Sequence, residues 1–253
     1  MLNLENVAWL PAVIDLYDRF AARGYELVVS GGAIRDHLLD RSPADVDLLS
    51  DAHPEESSKL LESWSGNIGD TALPFGVVQC VHDGLPIQVV PFHTLECNTW
   101  PMPLSAIKGT NVEDHLACAD ATINAIALRL VNLEVIDPFD GISDLGNRLL
   151  KTPVSPWVTV GNGPLLSLRI ARFVADLSFS VDSDLFVALR ETASGVERAA
   201  PGFRDRLLER ILVSENPHAG VDFLTEAGVF GHLPAQWRHR LNEARKFPPR
   251  TVE

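Results

Sequence analysis

The sequence predicts an α+β protein, with a mixed α/β part of about 150 residues followed by an α-helical remainder. Three observations carry this. Strand-like runs alternate with helical patterns as far as Thr152, and Asp83-Gly84 separates two of those runs as a hairpin turn would. After Thr152-Pro153 the breakers Pro153, Pro156, Gly161, Gly163 and Pro164 interrupt the chain, and helical spacing of apolar residues then dominates. The expected division is residues 1–152 and 153–253.

Each element follows from local pattern. Leu10, Ile14, Tyr17 and Ala21 recur at helical spacing between Leu4 and Arg23, and Gly24 offers a stop. Tyr25–Ser30 reads as a strand, Ala33–Leu39 as a helix and Asp45–Leu49 as a second strand. Pro54–Trp64 is amphipathic behind a proline start. Gly76–His82 and Leu85–Phe92 are the arms of the hairpin, and Glu96 to Val112, with Pro101, Pro103, Gly109 and Asn111, reads as a long loop. Thr122–Val131 and Glu134–Ile136 are strand or buried helix, between which periodicity does not choose. Asp137–Gly141 is a turn and Ile142–Leu150 a short helix. In the remainder, Leu166, Ile170, Phe173, Val174 and Leu177 form one apolar stripe, Leu207, Leu208, Ile211 and Leu212 another, and Asp222–Ala227 continues the pattern. From Arg245 onward the chain is expected to fray.

Composition narrows the class. Of the 253 residues 46% are hydrophobic and 22% charged, enough apolar material for a core. No apolar run reaches membrane-spanning length and no signal-like segment opens the chain, so a cytoplasmic protein without membrane contact is expected. Cys80, Cys97 and Cys118 are too few and too scattered for a disulfide framework or a zinc cluster and read as reduced thiols. The net charge of −13 argues against extensive non-specific nucleic-acid binding, leaving a local patch or a small acceptor. Trp64, Trp100, Trp157 and Trp237 read as core or loop anchors, with Trp100 also able to stack on a base. His93, behind a buried-looking strand, reads as packed or hydrogen-bonded.

The chemistry concentrates in Val28-Val29-Ser30-Gly31-Gly32-Ala33-Ile34-Arg35-Asp36 and Asp45-Val46-Asp47. Paired glycines between a strand and a helix let the backbone approach an anion closely. Asp45 and Asp47, two apart in a strand, project from one face, and a divalent cation such as Mg²⁺ near phosphates would relieve their repulsion. The unit reads as a metal-dependent nucleotide site. The alternative for Arg35 and Asp36 is a surface ion pair of small worth.

With these segments the chain resembles the class II tRNA nucleotidyltransferases (CCA-adding enzymes) and bacterial poly(A) polymerases. Further matches are Asp120-Ala121-Thr122-Ile123-Asn124-Ala125, Asp137-Pro138-Phe139-Asp140-Gly141 with Asp144-Leu145, and Leu168-Arg169-Ile170-Ala171-Arg172-Phe173. A weaker echo of the family's neck lies in Leu207–Gly228, so the likeness runs from about Gly24 to Gly228. The resemblance implies a polymerase-β-type nucleotidyltransferase head with a small mixed sheet, followed by an all-α neck. It implies Asp45 and Asp47 as catalytic ligands of a two-ion Mg²⁺ site that moves a nucleotide monophosphate from an NTP to an acceptor hydroxyl and releases pyrophosphate. Gly31, Gly32, Arg35 and Asp36 would hold the triphosphate. Asp120 and Asn124 would touch the sugar or brace the site, and Arg169 and Arg172 would contact the nucleotide or line a solvated helix edge.

Departures from the pattern modify this expectation. Cys118 and Ala119 stand where the family carries arginines, Ala121 where it carries an aromatic, and Gln88 where an acid is frequent. Asn162, Gly163 and Leu166 replace the residues that read the base, and the loop after the hairpin offers only Lys108. Altered base selection is therefore expected. Only head and neck fit within this length. The acceptor would be a tRNA or RNA 3′ end by resemblance, or a small-molecule or peptide acceptor by charge. A catalytically silent nucleotide- or RNA-binding module is the alternative, and the helical remainder offers a surface for a homodimer.

Overall fold

A computed structural model describes residues 7–66, 68–69, 76–94 and 111–245. The expected loop with Cys97, Trp100 and Lys108 falls largely outside them, as do the side chain of Asn162 and the chain end after Arg245. The chain divides into two compact units, Met1–Ile142 and Ser143–Glu253.

The first unit is built on a mixed seven-stranded sheet. Its strands are β1 (Leu27–Ser30), β2 (Val46–Ser50), β3 (Ile68–Gly69), β4 (Val78–His82), β5 (Leu85–Pro91), β6 (Ala127–Arg129) and β7 (Glu134–Ile136), ordered β3-β4-β5-β2-β1-β6-β7. The β2–β5 pair is parallel and the others are antiparallel. Asp83 and Gly84 both take left-handed conformations (φ 49° and 81°), the geometry a two-residue hairpin needs, and this sets the β4–β5 register.

Alternation along the strands sends side chains to two cores. One face carries Val29, Val46, Leu48, Val78, Ile87 and Val89 against α1 (Leu10–Ala21) and α3 (Pro54–Ser65), which supply Val13, Leu16, Phe20, Leu60, Leu61 and Trp64. The opposite face carries Val28, Leu49 and Ala127, with Phe92, Ala125 and the Val112 and Leu116 side chains of α4 (Val112–Leu116). Burying each such aliphatic side chain stabilises the fold by roughly 1.5–3 kcal/mol.

Several boundaries correct the sequence expectation. The first described helix starts at Leu10, with Pro11 in its first turn, the place where a missing N–H costs least. Thr122–Val131 is neither one strand nor one helix: a 3₁₀ turn, Thr122–Asn124, precedes β6. Ile142–Leu150 likewise splits into α5 (Gly141–Gly146) and β8 (Leu149–Leu150). The second strand begins at Val46 rather than Asp45, because the ladder to β5 opens at Val46↔Ile87 and Asp45 lies in the bend after Pro43.

The second unit is helical apart from β8 and β9 (Ser180–Val181), which pair in parallel. Its helices are α6 (Pro156–Asn162), α7 (Leu166–Leu177), α8 (Ser183–Glu191), α9 (Pro201–Val213), α10 (Pro217–Glu226) and α11 (Ala235–Ala244). The expected stripe on α7 is the buried one, with Leu166, Ile170, Phe173 and Leu177 inside and Val174 partly covered. Helix α10 comes close through Gly220: a Cβ there would stand 2.9 Å from Ala175 Cβ and 3.0 Å from Ala171 O. Trp64, Trp9 and Trp237 are buried, whereas Trp157 is 49% exposed and is no core anchor. Helix α6 buries Thr159 and turns Trp157 and Val158 outward.

Candidate active site

Strand β1 ends at Gly31, whose φ of 70° suits glycine, and α2 (Gly32–Leu38) begins at once. The Gly31 N–H donates to Ile126 O at 3.1 Å, tying the turn to the strand beyond Asn124. A Cβ on Gly31 would stand 3.9 Å from both Asp47 Oδ2 and Asn124 O. The glycine turn, the second aspartate and the Asn124 loop therefore meet at one point. No side chain caps α2, so its first N–H groups gain no partner from a capping residue.

Four of the sequence-selected residues form a single chain of hydrogen bonds. Arg35 donates from Nε (2.8 Å) and Nη2 (2.7 Å) to Asp36 Oδ1, and from Nη1 to Asn124 Oδ1 at 2.7 Å. Asn124 Nδ2 in turn donates to Asp120 Oδ1 at 2.8 Å, and Asp120 is buried. The Arg35 and Asp36 side chains are only 14% and 18% exposed, so this is not the surface ion pair that adjacency alone allowed. Arg35 folds back over the turn, its Nη2 3.6 Å from where a Gly32 Cβ would lie. Its charge is thus partly neutralised by Asp36, and its plane is fixed by two partners in a fork a lysine would not reproduce.

The loop that presents Asn124 rests on the Asp137–Gly141 turn. Asp137 accepts from the Gly141 N–H at 2.7 Å and the Ile142 N–H at 3.0 Å. Gly141 lies against the Thr122 carbonyl so closely that a Cβ would overlap it. The sequence places this glycine in a turn but does not show that it supports the Asn124 loop.

Asp45 and Asp47 are both partly exposed, flanking buried Val46. Asp47 pairs with Ser30 on β1 and with Gln88 on β5, and Gln88 pairs with Gln79 on β4. Partners in register share a sheet face. A polar row, Ser30–Asp47–Gln88–Gln79, therefore crosses four strands, closed by a 2.9 Å bond from Gln79 Nε2 to Gln88 Oε1. The Gln79 member was overlooked in the sequence although a signal existed: it and Gln88 lie symmetrically about the Asp83-Gly84 turn. Among the described residues no group of three or more His, Cys, Asp or Glu gathers as a metal cage. Asp47 beside the glycine turn, with Asp45 two residues earlier, instead suits Mg²⁺, which keeps waters and takes one or two carboxylates plus substrate phosphates.

Arg169 and Arg172 belong to α7 in the second unit. Arg169 is exposed, and the Arg172 guanidinium lies 4.7 Å from the Phe173 ring centroid. Cys118, at a family arginine position, directs its thiol to Asp114 O at 3.4 Å.

His93 and His115 meet edge to face with ring centroids 4.0 Å apart. Burial lowers the pKa of His93, and burial, reinforced by the neighbouring His93, holds His115 well below the ordinary histidine value. The buried His115 Nδ1 has no hydrogen-bond partner among the described residues. Both rings resist protonation more in the folded than in the unfolded chain, so the unfolded chain takes up more protons once the pH drops below about 6.5. Stability is accordingly full above that value and is expected to fall with acidification by up to about 1.4 kcal/mol per pH unit per histidine. Urea titrations at pH 7.5 and 5.5 measure this, and His115→Phe should flatten the dependence.

Comparison with known proteins agrees with this architecture. Residues 27–151 match the family model of the Poly A polymerase head domain. The CCA-adding enzyme of Streptococcus thermophilus is 28% identical over 234 residues, covering 90% of this chain and 57% of its own length. That of a Geobacillus species is 32% identical over 226 residues, covering 87% and 53%. A crystal structure of the Bacillus stearothermophilus CCA-adding enzyme in complex with CTP superposes with a TM-score of 0.79 at 25% identity, covering 94% of this chain and 57% of that one. The first unit is thus a nucleotidyltransferase-type head. Residues 27–151 belong to the poly(A) polymerase head-domain family, and the chain spans somewhat over half the length of the CCA-adding enzymes to which it is similar. Among the described residues no helix is long and apolar enough to cross a membrane.

Proposed function

We propose that this chain transfers a nucleotide monophosphate from an NTP to an acceptor hydroxyl, with pyrophosphate as the leaving group. The observation that carries the reading is the convergence of Asp47 Oδ2, the Gly31 turn and the Asn124 loop on one point. The family resemblance supplies the acceptor class, a tRNA or RNA 3′ end. Residues 1–152 are the transferase head in this reading and 153–253 the neck.

Asp45 and Asp47 would hold Mg²⁺, as a two-ion site, which would neutralise triphosphate charge and acidify the acceptor hydroxyl. The uncapped start of α2 and the Gly31-Gly32 backbone receive phosphate oxygens. Arg35 and Asp36 serve the same pocket, and because Asp36 and Asn124 occupy three of its nitrogens, Arg35 chiefly fixes the turn's shape. Asp120 orients Asn124, leaving the sugar contact to that loop. Arg169 and Arg172 are the nucleotide contacts of the second unit. With Gly163 and Leu166 where the family reads the base, no charged side chain at those positions contributes to selection.

A second reading, a silent nucleotide- or RNA-binding module, is favoured by Cys118 and Ala119, which remove two positive charges from the triphosphate's surroundings. A small-molecule acceptor and a homodimer in the cytoplasm fit the net charge of −13 and the helical second unit. Each α-labelled NTP, incubated with Mg²⁺ and either tRNA lacking its 3′ end, total RNA or a metabolite extract, separates these readings. Label appearing in the tRNA with pyrophosphate release is the expected result. No transfer to any acceptor, with nucleotide binding retained in calorimetry, overturns catalysis in favour of the module.

A further inference from the structure

We propose that Gln88, held by Gln79, makes cation binding at the Asp45/Asp47 pair conditional on nucleotide; the proposal rests on the transferase reading of that pair. Gln88 is in parallel register with Asp47, so it occupies the sheet position adjacent to the carboxylate on the same face. A side chain there is the nearest cross-strand candidate for a further cation ligand. It carries no charge. Its amide oxygen, the atom with which a glutamine would bind a hard cation, already accepts the 2.9 Å bond from Gln79 Nε2. The other half of that amide is the –NH₂, a donor that favours oxyanions and repels cations.

Gln79 is itself fixed. The two-residue Asp83-Gly84 turn sets the register Gln79↔Gln88, and a slip by one residue would carry Gln79 to the opposite, apolar face. The pair is therefore a built feature of the hairpin. Both side chains are partly buried, which strengthens their mutual hydrogen bond relative to one in open water.

The consequence is electrostatic. Affinity for hard divalent cations rises with the number of charged oxygen ligands, and Mg²⁺ dehydrates reluctantly. Two aspartates alone hold such an ion weakly, and phosphate oxygens supply the missing ligands and charge. The –NH₂ of Gln88 is then available to a phosphate or hydroxyl oxygen of the bound substrate. Nucleotide and metal enter together, and the free protein avoids holding a cation that would attract unrelated anions.

The test is Mn²⁺ binding by the full chain, followed by electron paramagnetic resonance and calorimetry, with and without a non-hydrolysable NTP analogue. Wild type is expected to bind Mn²⁺ at least tenfold more tightly with the analogue than without it. Gln88→Glu is expected to bind Mn²⁺ at least tenfold more tightly than wild type in the absence of nucleotide. Gln88→Asp, placing the charge on a shorter side chain, provides the same comparison if the glutamate destabilises the hairpin, and thermal melts of each variant report folding. Tight Mn²⁺ binding by nucleotide-free wild type, or no gain in either folded carboxylate variant, overturns the role given to Gln88. Absence of Mn²⁺ binding even with the analogue overturns the metal reading of Asp45 and Asp47 themselves, and with it this proposal.

Discussion

Replacing Asp45 and Asp47 together by asparagine is expected to lower nucleotidyl transfer by on the order of 10³-fold or more, about 4 kcal/mol of transition-state stabilisation. The effect should fall on kcat rather than on folding. Asparagine keeps the volume and one oxygen of each side chain but removes the charge that draws a divalent cation. The two carboxylates flank buried Val46 at the end of the β1–β2 ladder, and among the hydrogen bonds described above none that supports the turn depends on their charge. The melting temperature of the double variant, set beside that of wild type, separates lost chemistry from lost folding. Single-turnover transfer measured beside a thermal melt checks both halves. Full activity in a folded double variant would remove these residues from the chemistry.

Gly141→Ala is expected to be the most damaging single methyl in the first unit. The added Cβ overlaps Thr122 O and stands 2.9 Å from Ile126 Cγ1. Backbone cannot swing aside as a flexible side chain can, so the cost should reach the upper end of overpacking penalties, about 3 kcal/mol or more. The movement has a chemical consequence as well. Thr122 opens the 3₁₀ turn that ends at Asn124, and Asn124 accepts from Arg35. Displacing the turn should therefore weaken the Arg35–Asn124 bond and reduce transfer even below the denaturation midpoint. Gly146→Ala is the matching control: nothing lies within 4 Å of its Cβ, so alanine there should be neutral or mildly stabilising. Urea denaturation of both variants measures the difference, and equal midpoints would disprove the contact's importance.

Much of this molecule is legible from residue order because its signals are local. The helical stripe of α7, the proline start of α3 and the Asp83-Gly84 hairpin are each decided within one or two turns of chain. Elements whose identity depends on distant partners are harder. Apolar residues dominate Thr122–Val131 without a clear period, so the pattern does not separate strand from helix, and only pairing of β6 with β1 and β7 makes part of it a strand. Trp157 illustrates the converse, since an aromatic residue is expected inside until the burial of Thr159 shows which side of α6 faces inward.

The candidate site divides along the same line. The glycine turn, Arg35 and the aspartate pair are adjacent in sequence, and their chemistry can be read from residue type and spacing alone. By contrast, 89 positions separate Arg35 from Asn124, and it is the Gly31–Ile126 bond and the β1–β6 pairing that bring them to 2.7 Å. Tertiary structure also decides that Arg35 is a clamp for the turn rather than a freely extended cation, because two partners converge on its guanidinium from different segments. The sequence by itself determined the fold class and supplied the family resemblance from which the proposed chemistry follows, because both rest on patterns short enough to survive without the rest of the molecule. What only the folded chain decided is which of those groups touch, since a hydrogen bond or an excluded methyl depends on tenths of an ångström between segments that local pattern leaves independent.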